Sequence, residues 1–163
     1  MNVPRTLIVG IVLLVLVALH FTLRPLLDWR AGVDFLVIGV LLVAVRVRPA
    51  AAAIVGLLFG LMLDSMNPEA LGAAALAMTI TAFVASRLKA AFFADDLGIN
   101  AVFVFGGKVL FDVIAIIAER RLGGANLLWQ LLAWTPLSAL ATAVIGVVVM
   151  ALVRPAIDER RNR

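Results

Sequence analysis

Six apolar runs separated by short charged segments constrain the fold of this chain more than any other feature. They make 64% of the 163 residues hydrophobic, whereas only 15% are charged. A soluble domain of ordinary composition is closer to half apolar. A membrane-spanning helix needs about 20 predominantly apolar residues, and ~17 can suffice. The sequence therefore predicts a single all-α, polytopic membrane domain over residues 1–163, with no soluble domain beside it.

The apolar runs predict a bundle of six transmembrane helices with two short central spans. Arg46 and Arg48 separate spans two and three. A re-entrant hairpin that never crosses is the alternative, but it would hold both arginines at mid-depth, where each costs roughly 2.5–3.5 kcal/mol. We therefore expect both segments to cross, in a tilted or locally thinned arrangement. The predicted spans cover residues 6–23, 33–47, 49–64, 70–86, 98–118 and 136–153, and a basic tail follows over 154–163.

The distribution of basic residues predicts the orientation of the bundle. Six crossings place both termini on one side of the membrane. That side then carries nine of the 14 lysines and arginines and the other side carries four, while Lys108 lies within a span. Because cytoplasmic loops carry the excess of positive charge, we expect both termini in the cytoplasm. The net charge of +4 thus points to membrane orientation and not to nucleic-acid binding.

Residues 56–72 combine evenly spaced glycines with one acid and a turn. Gly56, Gly60 and Asp64 are four residues apart, so they share one face of a helix. A second stripe of small residues follows the Asn67-Pro68 turn at the same spacing, which predicts a close-packed helical hairpin. The Gly-xxx-Gly face predicts packing within the chain, with homodimerisation through this face as the alternative.

Asp64 allows two interpretations, because an ionised carboxylate avoids the bilayer core unless it is paired or hydrated. It is either an interfacial acid that caps the turn beside Ser65 and Asn67, or a buried anchor that faces a basic group of another helix. Both remain open at this point, as does a pairing of Asp64 with Lys108.

Lys108 and Asp112 interrupt the fifth apolar run four residues apart, a spacing that allows a direct ion pair on one helix face. Such a pair reduces the cost of placing both charges in the membrane. A structural pair that faces the bundle interior is the first interpretation, and a proton or ion relay is the second. Glu119 continues the acidic side toward the interface.

The chain offers little for catalysis or metal binding. It has no cysteine and a single histidine, His20, which we expect to make a hydrogen bond and not to bind a metal. No serine has a base at a recognisable spacing, so no hydrolase triad can be argued. We therefore expect no cofactor, no metal and no enzymatic activity.

The stretch formed by Gly56, Gly60, Asp64, Leu71 and Gly72 resembles the rod shape-determining protein MreD family. Residues 33–36 are similar to the family's entry into span two, although Val33 replaces a common proline. Residues 111–119, with Asp112 and then Glu119, look like its fifth span. His20 stands where a glutamine is frequent.

The resemblance implies a non-enzymatic scaffold of the bacterial inner membrane that acts in cell elongation. Its implied partners are MreC, the MreB filament, and the glycosyltransferase and transpeptidase that synthesise lateral peptidoglycan. The alternative is the substrate-binding membrane subunit of a vitamin-type transporter. The short spans two and three and the polar residues Asp64, Lys108 and Asp112 favour this alternative.

Overall fold

The computed structural model describes residues 5–27, 32–66, 70–88, 97–119 and 134–158. These residues form helices, and the described part of the chain contains no strand, so the prediction of an all-α fold is confirmed. The six helices are α1 (Arg5–Leu27), α2 (Phe35–Ala44), α3 (Pro49–Asp64), α4 (Ala73–Arg87), α5 (Leu97–Ala118) and α6 (Thr135–Asp158).

Helix α2 is shorter than the predicted second span, and its flanking residues explain why. Asp34 is its N-cap, and at its other end the Arg46 guanidinium Nη1 donates to the Leu42 carbonyl (2.6 Å). Arg48 is extended, with ψ 152°, which is the conformation favoured before a proline. The 10 residues of α2 span only about 15 Å, so α2 alone does not match a bilayer.

The interior of the bundle is built around α2, which contacts each of the other five helices. Its sequence is apolar on every side, and a helix of that kind is stable only when it is enclosed. Of its 10 residues all but Val43 are buried. Because protein and not lipid surrounds α2, its short length imposes no mismatch with the bilayer.

Neighbouring helices along the chain run in opposite directions. Gly60 of α3 packs against Ala75 near the start of α4, whereas the Ser86 hydroxyl near the end of α4 donates to the Val47 carbonyl just before α3 (2.9 Å). Helices α2, α4 and α6 therefore begin at the end of the bundle where α1, α3 and α5 finish. We call this the acidic end, and the opposite one the basic end.

The two names describe how the charged side chains are distributed. Among the described side chains, every carboxylate comes from a segment at or near the acidic end, and every arginine from one at the basic end. The carboxylates are Asp34, Asp64, Asp112 and Glu119, and the arginines are Arg46, Arg48 and Arg87.

Glycine allows α3 and α4 to approach closely along the predicted seam. A methyl group on Gly56 would lie 2.9 Å from the Ala82 Cβ, and one on Gly60 would lie 2.6 Å from the Ala74 carbonyl oxygen. Both separations are shorter than van der Waals contact. The Gly56/Gly60 face is thus occupied by α4 of the same chain.

Apolar side chains cover much of the outer surface. Two helical stretches of the described residues, Gly98–Ala118 and Thr135–Leu152, are long and apolar enough to cross a membrane. Only 22% and 39% of their most apolar windows are buried against protein. The described residues form six helices, but within them length and composition qualify only these two stretches as spans by themselves. Residues 159–163 of the predicted tail lie outside the described residues.

We predict that Gly60→Ala destabilises the protein by about 1–3 kcal/mol, because the added methyl group forces α3 and α4 apart. Gly106→Ala is the matched control, since a methyl group there meets no atom within 4 Å. Alanine in a helix interior is favoured over glycine by roughly 0.5–1 kcal/mol, so this control should be neutral or stabilising. Chemical unfolding in detergent, followed by circular dichroism, measures both; equal effects would contradict the close seam.

Candidate functional site

The acid at the end of α3 caps the start of α4. Asp64 is 2% exposed, and its carboxylate accepts hydrogen bonds from the backbone N–H groups of Gly72, Ala74 and Ala75, each at 3.0 Å. The first turn of a helix has N–H groups without an intrahelical acceptor. Asp64 supplies that acceptor from across the turn, and it also places a negative charge at the positive end of the α4 dipole.

Gly72 explains why the cap comes from another helix. It is the N-cap residue of α4 and has φ 92°, a left-handed conformation that favours glycine. A glycine has no side chain with which to cap the helix, so the acceptor comes from Asp64. The Ser65 hydroxyl donates to the Met62 carbonyl instead (2.7 Å), and Asn67 lies outside the described residues.

The structure thus places Asp64 in the capping role, which was one of its two interpretations. Among the described residues no lysine or arginine lies within ion-pair distance of its carboxylate. Lys108, which the sequence allowed as a partner, contacts two other acids. Replacing an N-cap acceptor typically costs about 0.5–2 kcal/mol, so Asp64 contributes to the stability of the hairpin.

A second polar site lies inside the bundle, where Lys108 of α5 contacts two carboxylates. Its Nζ lies 2.5 Å from Asp34 Oδ2 and also donates to Asp112, one turn further along α5. Lys108 is 3% exposed and Asp34 is 8% exposed. The pair predicted from the i,i+4 spacing is therefore present, and Asp34 joins it. We call Asp34, Lys108 and Asp112 the ion cluster.

Two side-chain hydroxyls of α6 hold the backbone of Gly32 and Asp34 in place. The Asp34 N–H donates to the Thr142 hydroxyl (3.2 Å), and one turn earlier the Ser138 hydroxyl donates to the Gly32 carbonyl (3.0 Å). The Asp34 carboxylate makes no capping bond to α2 because it is directed at Lys108. Segments before α2, on α5 and on α6 are thus connected at one buried position.

His20 of α1 is fully buried next to the ion cluster. Its Nδ1 lies 3.8 Å from Asp34 Oδ1, and its ring makes an edge-on contact with Phe21 at 5.6 Å between centroids. The sequence predicted a hydrogen-bonding and not a metal-binding histidine. Within the described residues no three His, Cys, Asp or Glu side chains are grouped so that they could hold a metal ion.

Lys108 lies between the buried Asp34 and the partly buried Asp112 and is strongly coupled to both electrostatically. Taking ions out of water costs several kcal/mol each, and good geometry with several partners offsets that cost. Removing one member of such a set typically costs about 3–5 kcal/mol. The ion cluster therefore fixes the start of α2 against α5.

Sequence reasoning missed Asp34 as a partner of Lys108. The two residues are 74 positions apart, so no helical spacing connects them. The sequence features that could have indicated this contact are the position of Asp34 at the start of one apolar run and that of Lys108 in the middle of another. Thr142 and Ser138 gave no signal, because hydroxyls in apolar helices commonly bond to their own backbone.

Glu119 lies just beyond α5, where its N–H donates to the Ala115 carbonyl (2.8 Å). Near it, a groove of about 550 Å³ separates the start of α4 from the end of α5. The side chains along this groove are mostly aliphatic, and it opens at the acidic end. Its lining consists of Leu71, Gly72, Ala73, Leu76, Ile114, Ile117 and Ala118.

Comparison of the chain with protein-family models, curated proteins and solved structures gives no match.

We predict that Lys108→Met lowers the free energy of unfolding by about 3–5 kcal/mol, because Asp34 and Asp112 lose their shared cation. A triple variant, Asp34→Asn/Lys108→Met/Asp112→Asn, removes the charges together and should recover part of that loss. Arg87→Met is the control, since an exposed cation contributes only ~0–1 kcal/mol. Denaturant unfolding of the four proteins tests the cluster; a triple variant less stable than Lys108→Met would contradict it.

Proposed function

We propose that this chain is a non-enzymatic membrane scaffold similar to MreD, which acts in bacterial cell elongation. It would bind MreC through faces within the membrane and connect to MreB and to the glycosyltransferase and transpeptidase of lateral peptidoglycan synthesis. The observation that carries the proposal is the α3–α4 hairpin. The residues of the resemblance meet there as one unit, with Gly56 and Gly60 in the seam, Asp64 as the cap and Gly72 at the turn.

The exposed apolar surface supports insertion into a membrane as a multi-pass protein. In a soluble protein the most apolar helices are buried in the core, whereas only 22% and 39% of the most apolar windows of α5 and α6 are buried here. Contiguous apolar surface of this extent fits lipid or partner helices. Because α2 is enclosed, the bilayer has to match only the surrounding helices.

The charge distribution supports the proposed orientation. The arginines described at the basic end fit the cytoplasmic side of the bacterial inner membrane, where basic residues are in excess. Both termini would then be cytoplasmic, as the sequence predicts. The acidic end, with the Asp64 cap and the α3–α4 turn, would face outward.

The chemistry of the described polar side chains is consistent with a scaffold. The hydroxyls of Ser86 and Ser138 donate to backbone carbonyls of other segments, so they connect segments of the fold. The Ser65 hydroxyl donates to the Met62 carbonyl in the preceding turn. His20 is fully buried and faces Asp34 of the ion cluster. These side chains are therefore used to stabilise structure.

A transporter subunit is the second candidate function, and the ion cluster is the observation that favours it. Buried charges in membrane proteins commonly mark ion or substrate pathways. Here, however, Lys108 is engaged by two carboxylates, and the groove between α4 and α5 has an aliphatic lining. A site for a polar vitamin would need several convergent polar groups. The scaffold is therefore the better supported proposal.

We predict that depleting the protein from its rod-shaped host makes the cells round, because lateral wall synthesis loses its scaffold. Re-expressed wild-type protein and Gly106→Leu should restore rods, since position 106 is open. Gly60→Leu should not restore them, because it separates α3 from α4. Microscopy measures cell shape; unchanged rods after depletion would contradict the proposal.

Affinity purification of the tagged chain separates the two candidates. MreC in the eluate is the result expected for the scaffold. An ATPase module without MreC would instead support the transporter.

A further inference from the structure

At the basic end, two arginines from different segments each follow a residue of one tertiary hydrogen bond. The Ser86 hydroxyl donates to the Val47 carbonyl at 2.9 Å, which joins the end of α4 to the α2–α3 connection. Arg87 follows Ser86 and Arg48 follows Val47, so the tertiary hydrogen bond makes their positions neighbours. The fold, and not the sequence spacing of 39 residues between Ser86 and Val47, creates this pair.

The acids of the described chain do not neutralise this pair. Arg48 and Arg87 are exposed, and no carboxylate of a described residue lies within ion-pair distance of either. Arg46 differs, because its guanidinium donates to the Leu42 carbonyl at the end of α2. Two guanidinium groups are therefore available for an anion, and guanidinium groups bind phosphate oxygens in a bidentate manner.

Apolar side chains lie beside Arg87. The Arg87 guanidinium is 5.3 Å from the centroid of the Phe83 ring, and Phe83 is 39% exposed. Leu88, the next residue, is 56% exposed. A free phosphate or an acidic peptide would use the arginines alone, whereas a phospholipid would also cover the apolar side chains with an acyl chain.

We infer that Arg48 and Arg87 form a binding site for the headgroup phosphate of an anionic phospholipid in the cytoplasmic leaflet, with an acyl chain against Phe83 and Leu88. The inference rests on the membrane orientation proposed above and not on the role in cell elongation. Anionic lipids attract basic residues at this surface, which gives the site a ligand that is always present. Bound lipid would hold the α2–α3 connection and the end of α4 at the same depth.

Native mass spectrometry of the full chain in detergent tests the site with defined probes. Dioleoyl phosphatidylglycerol and dioleoyl phosphatidylcholine differ in headgroup charge, so we expect the wild-type chain to bind the first more tightly. In Arg48→Gln/Arg87→Gln, binding of phosphatidylglycerol should weaken on the order of tenfold or more, since each basic residue contributes to the attraction. Circular dichroism checks that this exposed double variant folds.

Arg120→Gln/Arg121→Gln is the matched control, because it removes the same charge from the side that the sequence predicts to be opposite. It should keep the wild-type affinity. Equal weakening in both double variants, or none in Arg48→Gln/Arg87→Gln, would overturn the site.

Two soluble probes separate the lipid from other anions. Glycerol phosphate should compete poorly, since it lacks the acyl chains; competition equal to that of the lipid would overturn the lipid assignment. A hexaglutamate peptide that binds through Arg48 and Arg87 more tightly than phosphatidylglycerol would instead assign the surface to an acidic protein. None of these measurements involves MreC, so failure here is distinguishable from failure of the elongation role.

Discussion

The enclosure of α2 by the other helices is the constraint on which the rest of the structure depends. This helix is apolar on all sides and only 10 residues long, so it is stable only inside a protein shell. Its buried ends must still be satisfied, because backbone N–H and C=O groups in apolar surroundings have no water to bond. Thr142 accepts the Asp34 N–H at one end, and Arg46 donates to the Leu42 carbonyl at the other.

The charge distribution stabilises helices and also supports the proposed orientation. Asp34 and Asp64 lie at the starts of α2 and α4, while Arg46 and Arg87 lie at their ends. Acids near a helix N-terminus and cations near a C-terminus each interact favourably with the helix dipole. The same placement gathers the described arginines at one end of the bundle, which would face the cytoplasm in the proposed orientation.

Local features of the fold were predictable from the sequence, and long-range ones were not. Helix periodicity places Gly56, Gly60 and Asp64 on one face, and the spacing of Lys108 and Asp112 allows their contact, because both relations lie within a few turns. The contact between Asp34 and Lys108 joins residues 74 positions apart, so it depends on how helices pack. The predicted second span continued to residue 47, whereas α2 ends at Ala44, where the Arg46 guanidinium donates to the Leu42 carbonyl.

Asp64 is one residue whose tertiary partner the sequence did not predict. The sequence has an acid at the end of the glycine face. A carboxylate at this position can either form an ion pair with a cation or cap the N-terminus of a helix. The partner of Asp64 depends on the direction in which α4 begins, and that direction follows from the left-handed conformation of Gly72. That turn brings three N–H groups to the Asp64 carboxylate. The hairpin was thus predictable from the sequence, whereas the partner of Asp64 was not.

Cysteine accessibility tests most directly the claim that α2 is the enclosed centre of a membrane bundle whose acidic end faces outward. The natural chain has no cysteine, so single cysteines can be placed at exposed Ser65 at the acidic end, at exposed Ala50 at the basic end and at buried Ile38 in α2. A membrane-impermeant maleimide applied to spheroplasts should label Ser65→Cys, should label Ala50→Cys only after permeabilisation, and should label Ile38→Cys only after denaturation. Labelling of Ser65→Cys and Ala50→Cys from the same side, or of Ile38→Cys in the folded protein, would contradict the account.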